Sequence, residues 1–167
     1  MRNFHVVALL IGLLVATPFA FSQAATSDET AVCAFEDGRQ TTARYVAVPA
    51  GHSEGPPTGK IWTPTANAWT LFTESDLMLG NTTIPTGAYT LYLLPGKKEW
   101  TLIVSRNTDV DAKYDEKQDL ARAQMEIGQL SSPADRLSMY FGHTGQRKCE
   151  INIDFGKLRG WVEFRQK

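Results

Sequence analysis

Short runs of β-branched and aromatic residues, each cut off by a turn signal, fill this chain and leave little room for a helical repeat. The clearest example is TIPTGAYTLYLLPGKKEWTLIVSR, residues 83–106. Pro85 and Gly87 suit the second and fourth positions of a type I turn, and Pro95-Gly96 marks another turn between residues 89–94 and 100–104. The spacing predicts two adjacent strands of an antiparallel meander. On the second, Trp100, Leu102 and Val104 share one face while Thr101, Ile103 and Ser105 share the other.

Other segments repeat the pattern. Strands are predicted at residues 32–35, 44–48, 68–73, 77–79, 121–127, 136–141, 148–155 and 160–164. Asp37-Gly38 is a hairpin signal between the first two, and the Pro- and Gly-rich residues 49–59 read as a loop. Residues 107–119 are polar and read as a long loop or a short helix. About nine short strands with turns between them predict an all-β protein, a single-domain antiparallel β-sandwich.

The first residues, MRNFHVVALLIGLLVATPFAFSQAA, place one cation at Arg2 before an unbroken apolar run over residues 6–16 and small residues near Ser22 and Ala24. This is the layout of a cleaved secretory leader, expected over residues 1–24, ahead of one domain over residues 25–167. The apolar run is short for a membrane span, which needs about 20 residues, and no later segment is apolar enough. A periplasmic or secreted location follows as the expectation. The formal net charge of -1 gives no electrostatic reason to expect nucleic acid as a partner.

An exported chain with two cysteines, Cys33 and Cys149, favours a disulfide between them. In CEINIDF, Cys149 alternates in phase with Ile151, Ile153 and Phe155, which assigns it to the buried face of a strand with Glu150, Asn152 and Asp154 outward. Cys33 shares a face with Phe35. Two separate buried thiols are the alternative.

Residues 51–55, GHSEG, fit the G-x-S-x-G pattern of a hydrolase nucleophile elbow. That motif works only where a strand runs into the serine and a helix leaves it. Here Pro56 and Pro57 follow at once, so the helix is missing and Ser53 reads as part of a flexible loop. No catalytic residue is assigned. Metal binding is equally unsupported, because His52 and His143 are far apart in sequence with no ligand spacing around them, and no Gly-rich phosphate loop follows a strand. No cofactor is expected.

Two groups are candidates for binding. In YDEKQDLAR, Tyr114, Asp115, Asp119 and Arg122 could form a polar site, or Asp119 and Arg122 could simply tie the loop to the sheet as an ion pair. Trp62 and Trp69 flank loop residues and could line a groove that stacks on sugars or peptides, or could be core.

Several segments together resemble the bacterial exported family called domain of unknown function 2911. They are CAFEDG at residues 33–38, Gly59-Lys60-Ile61-Trp62 followed by Thr65-Ala66-Asn67, the block at residues 83–106, YDEKQDLAR, the strand from Cys149 and FGKLRGWVEF. Where the family often carries a Glu, this chain has Ala68; where it tends to carry Trp-Gly, this chain has Asp111-Ala112. The resemblance implies an exported β-sandwich and supplies no known reaction. It also singles out Asn67, retained from the family pattern, as an amide that could hydrogen-bond a ligand beside the two tryptophans.

The sequence thus leads to a non-enzymatic module of the cell envelope that binds an unknown small molecule, glycan or peptide. A carboxylate-dependent hydrolase using Asp115 and Asp119 and a purely structural envelope protein are the alternatives.

Overall fold

The computed structural model describes residues 26–65, 68–109 and 113–167. The leader assigned to residues 1–24 lies outside the described residues, as does Asn67. Nine strands form one antiparallel sheet in the order β1-β2-β3-β6-β7-β8-β9-β4-β5. They are β1 (Ser27–Ala34), β2 (Gln40–Ala47), β3 (Trp69–Thr73), β4 (Leu77–Leu79), β5 (Thr82–Ile84), β6 (Gly87–Pro95), β7 (Trp100–Ser105), β8 (Asp119–Gly145) and β9 (Lys148–Gln166). The expected all-β fold is what forms, and the meander of β6 and β7 pairs as its turns predict, Leu91 opposite Val104 and Leu93 opposite Leu102.

Strand β8 turns this single sheet into two layers. Its first residues pair with β7, Met125 opposite Trp100, and from Glu126 onward it pairs with β9 instead. The last residues of β9 then pair with β4, Phe164 opposite Leu79. Leu71, Leu91 and Leu102 of the first layer therefore face Leu77, Ile151 and Phe164 of the second around one apolar interior. Burial of these side chains out of water is the main force holding the layers together, each contributing about 1.5–3 kcal/mol.

The open side is closed by backbone pairing beyond the end of β2. Ala50 N–H donates to Asp135 O at 2.8 Å, and Leu137 N–H donates to Val48 O at 2.8 Å. The disulfide Cys33–Cys149 also ties β1 in one layer to β9 in the other.

The separate strands expected at residues 121–127 and 136–141, and again at 148–155 and 160–164, are each one long bent strand. Register shifts between Gln129 and Ser138 accommodate Pro133, a residue tolerated at a bulge. On β9 the bend falls at Gly156, with φ of 60°. A Cβ there would stand 2.1 Å from Ser53 O, so the residue 50–55 loop packs against backbone that only glycine allows. The expected outward face of β9 is also covered: Asn152 and Asp154 are buried. Arg159 holds Asp154 through two hydrogen bonds of 2.7 and 2.8 Å and lies over the Tyr140 ring, which explains how a carboxylate is accommodated there.

Candidate functional site

Strand register builds one row of polar residues across the outer face of the first layer. Thr30 faces Arg44, Arg44 faces Thr70, Thr70 faces Thr90, Thr90 faces Ser105 and Ser105 faces Asp119. Adjacent strands lie about 4.8 Å apart, so Arg44 and Asp119 stand roughly 19 Å from each other at the two sides of this row. The row has a covered half and an open half.

The residue 107–118 segment begins and ends on the covered half. Thr90 Oγ1 donates to Asn107 O at 2.5 Å, and Arg106 N–H donates to Gln118 O at 2.9 Å. Both Thr90 and Ser105 are buried. A neighbouring row carries Tyr92, Ile103 and Arg122, and the first two are buried outside the central core. Tyr114 closes over Tyr92, ring centroids 5.0 Å apart at 73°. Its hydroxyl donates to Asp119 Oδ2 at 2.8 Å, and Arg122 Nη1 donates to the same oxygen at 3.1 Å and to Glu116 Oε1 at 3.0 Å. The sequence candidates Tyr114, Asp119 and Arg122 thus meet in one cluster. Asp119 Oδ1 is buried and has no hydrogen-bond partner among the described residues.

Asp115 does a different job. Its Oδ1 accepts from Lys117 N–H at 3.0 Å and caps the 3-10 helix Glu116–Gln118. One carboxylate caps a turn while the other is held by a phenol and a guanidinium, an arrangement that does not aim the two at a common substrate atom.

Burial, then the hydrogen bond to Asp119, pushes the Tyr114 phenol from 10.0 up to about 12. The folded state therefore holds this proton where the unfolded chain has lost it. Its contribution is present in full below the ordinary phenol value and is lost as pH rises through about 12. In alkaline denaturation, Tyr114→Phe should flatten the fall in stability between those two values; identical slopes in variant and wild type would contradict the cluster.

The open half lies over β1, β2 and β3. A groove of about 520 Å³ is lined by Gln40, Thr42, Arg44, Thr70, Phe72 and Thr108, among others. A second hollow shares Arg44 and Thr70 and extends toward β1. Phe72 is 49% exposed, unusual for a large apolar side chain in the middle of a sheet. Among the described residues no carboxylate pairs with the Arg44 guanidinium.

Trp62 and Trp69 are elsewhere and are buried. Their rings meet edge to face at 5.9 Å, and Trp62 packs on Phe155 at 4.7 Å. The exposed stacking face expected of them is core packing instead. The signal lay in the alternation of WTLFT, where Trp69 and Leu71 point inward and Phe72 outward. The groove residues Arg44 and Phe72 were not legible as a pair, because only register brings them together.

Ser53 closes its own turn: its hydroxyl donates to Gly55 O at 2.8 Å, and Gly55 N–H donates back to Oγ at 3.3 Å. Neither bond is to an imidazole, so Ser53→Ala should leave any activity of this protein unchanged. Loss of an esterase or peptidase activity in a folded Ser53→Ala variant would refute that assignment.

Comparison with known families matches residues 52–164 to the one described as Protein of unknown function (DUF2911). No curated protein and no solved structure matches the chain.

Proposed function

The chain belongs to that family, and from this premise we propose that it is an exported binding module of the cell envelope whose ligand sits in the open half of the outer face. The observation that carries the reading is the groove itself, which sets the exposed Phe72 and the Arg44 guanidinium, without a carboxylate partner among the described residues, among threonine hydroxyls, while the Glu74 carboxylate of the same groove accepts from Gln40 N–H. An aromatic face suits a flat apolar surface, threonine hydroxyls donate and accept, and a guanidinium recognises a carboxylate through two parallel hydrogen bonds. The ligand class is therefore a carboxylate-bearing small molecule or saccharide. The disulfide supports an oxidising compartment, where such bridges persist. Among the described residues no helix is long and apolar enough to cross a membrane.

The cluster of Tyr114, Asp119 and Arg122 serves in this reading as the fastening of the segment that bounds the groove through Thr108. Asn67 lies outside the described residues and has no part in this reading. A hydrolase using Asp115 and Asp119 would need both to converge, and a structural protein would need no groove at all.

Titration with phenylacetate and with digalacturonate, each beside a neutral analogue, tests the proposal. Arg44→Ala should weaken carboxylate binding by about tenfold or more, the loss of one charge-assisted contact. Equal binding by Arg44→Ala and wild type, or equal binding of acid and neutral analogue, would refute it.

A further inference from the structure

The ladder between β8 and β9 sets His143 directly opposite Cys149, and Cys149 is joined to Cys33. The imidazole Nδ1 lies 3.8 Å from Cys149 Sγ. The donor atoms of Cys33, His143 and Cys149 all fall within 4.8 Å of one another. Both cysteines are buried while His143 is exposed, so the imidazole forms the solvent side of the group. Sequence alone hides this trio, since the histidine and its cysteine partners meet only through strand pairing and the contact between layers.

We propose that, while its cysteines are thiols, this protein binds one Cu(I) ion through Cys33, Cys149 and His143. Two thiolates and an imidazole are a soft donor set, the kind that selects Cu(I) or zinc. Bonds of about 2.0–2.3 Å to a shared metal place donor atoms roughly 3.5–4 Å apart, and the Nδ1 to Sγ separation is already of that size. The 6.5 Å between the two Cα atoms lets the sulfurs part to that distance by side-chain rotation. Among the described residues no fourth His, Cys, Asp or Glu joins the three. A structural zinc site takes four protein ligands, and zinc on three would need water as its fourth; two thiolates and one imidazole complete Cu(I), a softer ion, without one.

Cu(I) binding needs no oxidant, whereas closing the bridge needs a two-electron acceptor such as a disulfide-exchange partner of the oxidising compartment. A newly made chain carries both cysteines as thiols. Closing the bridge removes two electrons and two protons from them. Binding Cu(I) removes the two thiol protons, transfers no electrons and leaves the sulfur–sulfur bond unformed. Metal and disulfide are therefore alternative occupants of one place, and the redox state of the cysteines decides between them.

The test uses full-chain protein reduced anaerobically by a phosphine, which takes up an oxygen atom from water as the bridge becomes two thiols. Cu(I) is presented as its coloured bicinchoninate complex. The reduced wild type should take one equivalent from the chromophore, and Cu(I) should raise its melting temperature. His143→Ala, a change at an exposed position, should hold Cu(I) at least tenfold more weakly with an unchanged circular dichroism spectrum. Oxidised protein should take none. Failure of the reduced wild type to compete would overturn the proposal, and so would equal affinity in His143→Ala or in oxidised protein. Reduced protein that unfolds and is not refolded by Cu(I) would overturn it as well.

Discussion

A Cys33→Ala/Cys149→Ala double variant should lose about 4–5 kcal/mol of stability, the largest effect expected of any change considered. The two cysteines lie 116 positions apart, so the bridge restrains most of the unfolded chain, and in the chain-entropy model a loop of that length gives a contribution of this size. The folded state adds a second reason. Cys33 lies on β1 and Cys149 on β9, on opposite layers, and both are in the core. Urea denaturation of the variant beside the oxidised wild type measures the difference directly, and the melting temperature should fall by roughly 15 °C. Coincident midpoints would mean that the β2–β8 closure and the shared core hold the layers without covalent help.

Gly160→Ala should be nearly as damaging, at about 3 kcal/mol. Gly160 lies on β9 opposite Ile127, and a Cβ at this position would stand 2.2 Å from Trp100 Cε3 and 2.7 Å from Cζ3. Trp100, the first residue of β7, is 1% exposed and paired with the equally buried Met125, so its ring has little room to move in a close-packed interior. Gly38→Ala is the control. It has φ of 82° and nothing within 4 Å of the added methyl, so only backbone strain of about 1 kcal/mol applies. If both variants melted alike, overpacking against Trp100 would be excluded as the cause.

Much of this fold could be read from the chain because its central strands carry their own punctuation. Pro95-Gly96 and the alternation from Trp100 to Val104 define β7 and its partner without knowledge of anything distant. The same holds for Cys149, Ile151 and Ile153, all buried as their phase predicts. Local signals failed where a distant contact reverses them. Residues 121–127 and 136–141 read as separate strands yet belong to one bulged strand that contains Pro133, because the β9 partner holds the chain on both sides of it. Asp154 reads as outward, but Arg159, five residues on, folds back to cover it.

The candidate site was legible only in part for a related reason. Tyr114, Asp119 and Arg122 are close in sequence and could be suspected as a group, whereas Arg44, Thr70 and Phe72 come from two strands whose alignment is set by register. His143 and Cys33 are separated more widely still. Tryptophan count misled for a physical reason as well: aromatic area is as useful in a core as in a groove, and only the phase of WTLFT distinguishes the buried Trp69 from the exposed Phe72.

The open half of the outer face is where a ligand is expected to sit, and nuclear magnetic resonance mapping of a bound carboxylate tests this most directly. Backbone amide shifts in isotopically labelled protein titrated with phenylacetate should move at Thr42, Arg44, Thr70 and Phe72, and those movements should disappear in Phe72→Ala. Shifts centred instead on Tyr114, Asp115 and Asp119, with slow turnover of an ester or glycoside abolished by Asp119→Asn, would contradict the binding-module account and make the pinned cluster an active site.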